Sequence, residues 1–272
     1  MLRRNKTREP AGTAEAPAAG SEPRKPKAAA FVDYEHWLFS MQNNYRMKPD
    51  PFHWAEGLKQ KYELNDIRFY GDFSQEAMSR ELMRIRQVSN QIIETKNGSE
   101  NYRKDFTDFI MLDAIYQTAI FIKEIEVFIL FTGDGHFNSV ASFLKNNLGK
   151  TVLVYGVKNS FSNALKAASS AWFEIPDDDD VFFHCYHLIL QYIAYVEKRN
   201  TGFRPTFWNV VRSVAEYNQM DEGTVNASLC QMLEKQYLTE KIETVQFQKQ
   251  LKVLTVDWEK AIRDGIWNPA EA

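Results

Sequence analysis

Phe128-Ile-Leu-Phe-Thr-Gly-Asp-Gly-His-Phe137 is the stretch on which the fold turns. An apolar run of β-forming residues stops at Thr132-Gly133, Asp134 follows at once, and the residues beyond carry a helical pattern. A buried strand that passes through Gly-Asp straight into a helix puts the acid on the carboxyl edge of a parallel sheet. In open α/β sheets that edge is where ligands bind. An ordinary turn or helix-capping Asp leaves the same trace, so the rest of the chain has to decide between a cap and a site.

The chain has 272 residues, enough for one large domain or two small ones. It is 44% hydrophobic, 25% charged and 14% aromatic, values of a globular protein with substantial cores. A formal net charge of −3 excludes a protein that coats nucleic acid through bulk charge. Cys185 and Cys230 lie in helical patterns without CxxC spacing. They form neither a zinc site nor a disulfide framework, and a reducing cytoplasm is the expected location. No apolar run reaches the roughly 18 residues of a membrane span, and no secretory apolar core stands at the N-terminus.

Residues 1–28 are rich in Ala, Pro and charge, with seven Lys and Arg against three Glu, and read as a disordered basic tail. The first strand is expected at Ala28–Asp33, ending in an acid, with a helix from Tyr34 that stops before Pro49. A helix over Phe52–Tyr62, a strand ending in Gly71-Asp72, a helix over Ser74–Arg86 and a strand over Gln91–Thr95 follow. Asp105 or Thr107 caps a long helix, Asp108–Lys123, apolar enough (Phe109, Leu112, Ala119, Ile122) to be largely buried. After strand Val127–Phe131 come a helix over Asn138–Asn147, a strand from Thr151, a helix over Ser162–Ser169 and a last strand, Trp172–Ile175. Short strands, apolar on both faces and alternating with helices, call for an α/β fold with a mainly parallel sheet covered on both sides.

Asp177–Asp180 interrupt the pattern and read as an acidic linker over 177–181. Beyond it, 182–272 carry three amphipathic helices and two alternating stretches, Lys241–Val245 and Leu251–Val256. That order is expected to form a small α+β, winged-helix-like domain. Its third helix shows Glu222, Thr224, Asn226, Ser228 and Gln231 where a DNA reader would show cations. Protein docking or self-association is therefore the expected role, ahead of autonomous DNA binding.

Three acids fall at equivalent places: Asp33 after the first strand, Asp134 after the fourth, and Asp108 at the start of the long helix. In a doubly wound sheet strands one and four are neighbours, and these carboxylates converge. Two unit charges ~4 Å apart repel by roughly 4 kcal/mol at an effective dielectric of about 20. Three are a liability unless a cation sits among them. Mg²⁺ or Mn²⁺ suits such oxygen donors, and an ion with open water positions can activate water against a phosphodiester.

Phe31-Val-Asp-Tyr-Glu35, Lys104–Asp113 and Phe131-Thr-Gly-Asp-Gly-His-Phe137 resemble the three signature segments of NYN domains, members of the PIN-like nucleases. Lys150-Thr-Val-Leu-Val-Tyr-Gly156, then Ser162, Leu165 and Ala168 before Trp172–Ile175, resemble the family's closing strand–helix–strand. The resemblance covers about residues 28–176. It implies a three-layer PIN-like domain over 29–176 and a metal-dependent ribonuclease cleaving RNA, single-stranded RNA in the first instance. Asp33, Asp108 and Asp134 would bind Mg²⁺ or Mn²⁺, and water would be the nucleophile. His36 stands where the family usually has Asn, and His136 where it commonly has a further Asp. Imidazole suits Mn²⁺ or Zn²⁺ better than Mg²⁺. The alternative is thus a catalytically weakened NYN-like module that binds RNA or protein partners.

Glu35, Asp72, Asp113 and His136 are candidates for supporting positions around the acids. Asp113 lies about 140° round a helix from Asp108, too far for both to face one ion unaided. Arg103, Lys104 and Thr132 are candidate nucleic-acid contacts. A phosphatase of the haloacid type would also begin with a strand ending in Asp. It needs a second Asp two positions on, where this chain has Glu35.

Overall fold

A computed structural model describes residues 24–95, 106–199, 204–245 and 249–269. The sheet-bearing part contains β1 (Lys27–Asp33), α1 (Tyr34–Tyr45), α2 (Pro51–Lys61), β2 (Glu63–Gly71), α3 (Glu76–Ser79), α4 (Leu82–Arg86) and β3 (Ile92–Glu94). It continues through α5 (Phe106–Phe121), β4 (Val127–Phe131), α6 (Asn138–Ser142), β5 (Thr151–Val157), α7 (Asn163–Ala168) and β6 (Ala171–Ile175). The second part holds α8 (Asp178–Arg199), α9 (Phe207–Asn218), α10 (Glu222–Glu234), β7 (Leu238–Val245), β8 (Lys249–Val256) and α11 (Trp258–Arg263).

All six strands of the first sheet run parallel, in the order β3-β2-β1-β4-β5-β6. β4 is buried throughout and β1 from Ala28 on, as continuous apolar runs require when helices cover both faces. Side chains alternate between two cores. Ala30, Val32, Ile129 and Phe131 face α1 to α4. Ala29, Phe31, Phe128 and Leu130 face α5, α6 and α7. Trp37 stacks on Phe131 with ring centroids 3.9 Å apart, which locks the helix leaving β1 against the end of β4. The expected α/β fold is therefore present, three layers with a parallel sheet in the middle. No described helix is long and apolar enough to cross a membrane.

Four sequence expectations are corrected. The acidic run is the opening turn of α8 and not a linker, because Asp177 Oδ1 accepts the Asp180 N–H at 2.7 Å and Asp180 Oδ2 accepts the Asp177 N–H at 3.3 Å. This reciprocal cap, and the positive end of the helix dipole, give the carboxylates a reason to sit there. Ser74–Arg86 is two short helices, because the Glu81 N–H bonds three residues back to the Met78 carbonyl and tightens the turn. The expected helix after β4 is composite: a 3₁₀ turn over Gly135–Phe137, α6, and a π-type turn over Phe143–Asn147. α5 buries one face, Thr107, Met111, Ile115, Thr118 and Ala119, and Phe109 and Phe121 point to solvent. Of the expected tail, residues 1–23 lie outside the described residues, while Lys27 and Ala28 already belong to β1.

Glu81 shows how the first layer is fastened. Its buried carboxylate accepts from Tyr34 Oη (3.2 Å), Lys48 Nζ (3.2 Å) and Arg84 Nη1 (2.9 Å). Glu81→Gln keeps the shape but removes the charge that two cations face. It is expected to cost roughly 1–3 kcal/mol at pH 7 in urea unfolding.

Residues of 185–267 build a core of their own, with Ile189, Val210, Leu229 and Leu254 among its members. α8, α9 and α10 precede an antiparallel hairpin in which Leu238 pairs with Val256 and Val245 with Lys249. Arg46, the left-handed residue that closes α1, donates from Nη2 to Gln219 Oε1 at 2.9 Å, so the two parts touch at the ends of α1 and α9.

Candidate metal centre

The order of the sheet makes β1 and β4 the pair from which successive crossovers diverge, and the cleft of such a sheet opens there. Asp33 is the last residue of β1, and Asp134 follows β4 after Thr132-Gly133. Both acids are caps: Asp33 Oδ1 accepts the His36 N–H at 2.9 Å, and Asp134 Oδ1 accepts the His136 N–H at 2.8 Å. A cap bond engages one carboxylate oxygen and fixes where the group points, so capping alone does not decide between a turn and a site. Thr132 is buried, and its Oγ1 accepts the Asp134 N–H at 3.2 Å, so it shapes the turn from below.

Asp108 comes from the other layer, in the first turn of α5. The neighbouring Thr107 hydroxyl lies 2.6 Å from that of Thr95, both buried, and this contact ties the start of α5 to the end of β3. His136 Nδ1 stands 3.3 Å from Asp134 Oδ1 and 3.7 Å from Asp108 Oδ2. One ligand atom each from Asp108, Asp134 and His136 falls within 4.8 Å of the other two, a spacing at which a single ion can be held. His136 was expected only as a supporting residue, and the structure puts it inside the cluster.

Asp33 is not in that tight group, but it shares its field. The carboxyl is only 7% exposed, and its pKa is pushed up to about 7. Burial is the largest cause, the His36 N–H bond opposes it, and the charges of Asp108, Glu35 and Asp134 add to it. Acids so crowded are poorly served by water and well served by a cation. The donor set, carboxylate oxygens with one imidazole, therefore fits a divalent ion such as Mg²⁺ or Mn²⁺.

His36 lies under the turn. Burial lowers its pKa, against the pull of Asp134 and the Ser160 backbone, and its Nε2 is buried without a well-formed hydrogen bond. A Cβ on Gly133 would stand 1.9 Å from the Ser160 carbonyl oxygen and 2.4 Å from His36 Nε2. Only glycine fits between two such neighbours. The Ser162 N–H bonds the Gly133 carbonyl at 2.9 Å, which binds the loop after β5 to the turn that carries Asp134. Gly133→Ala is accordingly expected to destabilise the fold by about 2 kcal/mol or more and to displace Asp134. Thermal unfolding would measure the first effect and divalent-ion titration the second.

The remaining candidates are spread out. Glu35 accepts the Asp72 N–H at 3.1 Å through Oε2 and Gln75 Nε2 at 3.3 Å through Oε1, so it braces the turn after β2 beside Asp33. Asp72 accepts from Ser74 Oγ at 2.5 Å and from Gln75 Nε2 at 3.2 Å, and Asp113 accepts from Gln117 Nε2 at 2.7 Å. Neither joins the converging group, because each is committed to its own turn or helix face. Arg103 and Lys104, the expected nucleic-acid contacts, lie outside the described residues. The sequence reading missed Ser160 and the Thr95–Thr107 contact, and it had Ser162 only as part of the closing strand–helix–strand. No local signal marks them, since they touch the site only once β3, β5 and α5 are assembled.

An open parallel sheet with carboxylates crowded at its switch point defines an α/β domain with an acidic cleft. The NYN domain family model matches residues 27–175, and the chain belongs to that family. A crystal structure of a protein of unknown function from Vibrio parahaemolyticus is similar at 25% identity and a TM-score of 0.47, over 58% of this chain and 98% of that one. No curated protein matches the chain.

Proposed function

We propose that the protein is a metal-dependent ribonuclease that hydrolyses phosphodiester bonds of single-stranded RNA. The observation that carries this reading is Asp33, buried beside Asp108 and Asp134 at the cleft between β1 and β4 with its carboxyl pushed up to about 7. A site that holds acids in this way at a ligand-binding edge is arranged for a cation. Asp33, Asp108 and Asp134, with His136, are the residues that would hold Mg²⁺ or Mn²⁺. When bound, such an ion lowers the pKa of its water and stabilises the charge that builds on the phosphate. The cap bonds from the His36 and His136 amides keep the two turn acids aimed into the cleft. His136 Nδ1, 3.3 Å from Asp134 and 3.7 Å from Asp108, would complete the donor set with them.

The rest of the chain completes the proposal. Residues 182–272 serve as a winged-helix-like unit for docking a protein partner or a second copy, and the protein works in the cytoplasm. A second reading is favoured by His136 where the family commonly has an acid: a weakened module that binds RNA without cutting it.

One assay separates the two. End-labelled single-stranded RNA is incubated with the protein in Mg²⁺, in Mn²⁺ and in EDTA. Cleavage that needs metal supports the nuclease. Binding in EDTA with no cleavage under any condition supports the module and ends the nuclease reading.

A further inference from the structure

A cavity of about 710 Å³ lies apart from the acidic cleft. It lies between α8 and α9, and no residue of the six-stranded part lines it. Tyr192 and Tyr195 reach it from α8, three apart and so on one face, and Glu216, Tyr217 and Asn218 reach it from the end of α9. Tyr217 is 88% exposed and Tyr195 53%, a large amount of aromatic surface left to water beside a concave site.

We propose that this cavity receives an arginine side chain presented by a partner protein. Three tyrosines and a carboxylate around one hollow are complementary to an organic cation. Aromatic ring faces are negative, and Glu216 supplies a counter-charge in the lining. A guanidinium suits the site better than an ammonium, because it is planar, weakly hydrated, and donates to side-chain amide oxygens such as those of Asn218 and Gln191. The Arg199 guanidinium sits 4.8 Å from the centroid of the Tyr195 ring, so one of the three rings already bears a guanidinium from its own helix. Phosphate-bearing ligands are disfavoured, since no Lys or Arg is among the described lining residues and Glu216 repels them.

The test is isothermal titration of the full chain with acetyl-Gly-Arg-Gly-amide, the same peptide carrying citrulline for arginine, and uridine monophosphate. Citrulline keeps the shape and loses the charge. The arginine peptide is expected to bind, with the citrulline peptide at least about tenfold weaker. Tyr217→Ala and Glu216→Gln are each expected to lower the affinity by roughly tenfold, and Tyr217→Phe to restore it. Tyr217 is so exposed that its loss leaves the melting temperature where it was. Equal binding of both peptides, no binding of either, indifference to Tyr217→Ala and Glu216→Gln together, or a preference for the nucleotide would overturn the proposal.

Discussion

Asp134→Asn is expected to lower RNA cleavage by on the order of 10³-fold, about 4 kcal/mol of barrier, with the fold intact. The reason is the double use of this side chain. Its Oδ1 caps the His136 amide, and an asparagine oxygen performs that task nearly as well. Its charge faces Asp108 and His136 in the cluster, and an amide cannot replace that. Structural and catalytic roles therefore come apart in one substitution. Circular dichroism and melting temperature should match the wild type, while single-turnover cleavage in Mn²⁺ collapses. If the variant and the wild type show the same rate, the activity comes from something other than this cleft.

The second large effect has the opposite sign for stability. Asp33 titrates from an ordinary 3.8 when unfolded to about 7 when folded, mainly because burial penalises its charge. A group raised on folding favours the native state fully below its unfolded pKa. That contribution is lost as the pH climbs through the folded value. In metal-free protein the loss therefore spans about pH 4 to 7 and is complete above it, with an upper bound of roughly 4 kcal/mol. Asp33→Asn removes the charge and keeps a cap acceptor for the His36 amide. The stability of the variant minus that of the wild type should rise across this window and then level off. Urea unfolding in EDTA at several pH values reads it directly. Mg²⁺ should stabilise the wild type at pH 8 and the variant much less, by mass action on the folded state. A difference that stays flat between pH 4 and 8 would show that Asp33 is not crowded as described.

The two experiments test different properties of one cleft, a charge needed for chemistry and a charge that the fold tolerates badly. The cleavage result is the one that bears on the nuclease reading, because a buried cap predicts the pH effect at Asp33 but not the loss of cleavage at Asp134.

Much of this fold was legible in the residues. Ala28–Asp33 and Val127–Phe131 are apolar on both faces, and such strands have no stable place except inside a covered parallel sheet. Gly-Asp after the second run marked the edge, and Gly133 proved to be obligatory for a reason the sequence could not show, the press of Ser160 and His36 against it. The errors also have physical causes. Four consecutive Asp repel one another in isolation, yet at a helix start they are capped and favoured. An apolar helix such as α5 was expected to be largely buried, but a sheet offers it only one side, and Phe109 is left 65% exposed.

The sequence by itself determined the layers, the strand–helix order and the two turn acids, because periodicity and Gly-Asp turns are local properties of the chain. It could not determine which side chains converge. Asp33, Asp108, Asp134 and His136 come from β1, α5 and the turn after β4, and their spacing is set by how those elements pack. Only the tertiary structure brought His136 into the group, left Asp72 and Asp113 out of it, and buried Asp33 deeply enough to raise its pKa. Desolvation and Coulomb fields act through space, and for that reason the charge of the cleft was decided there.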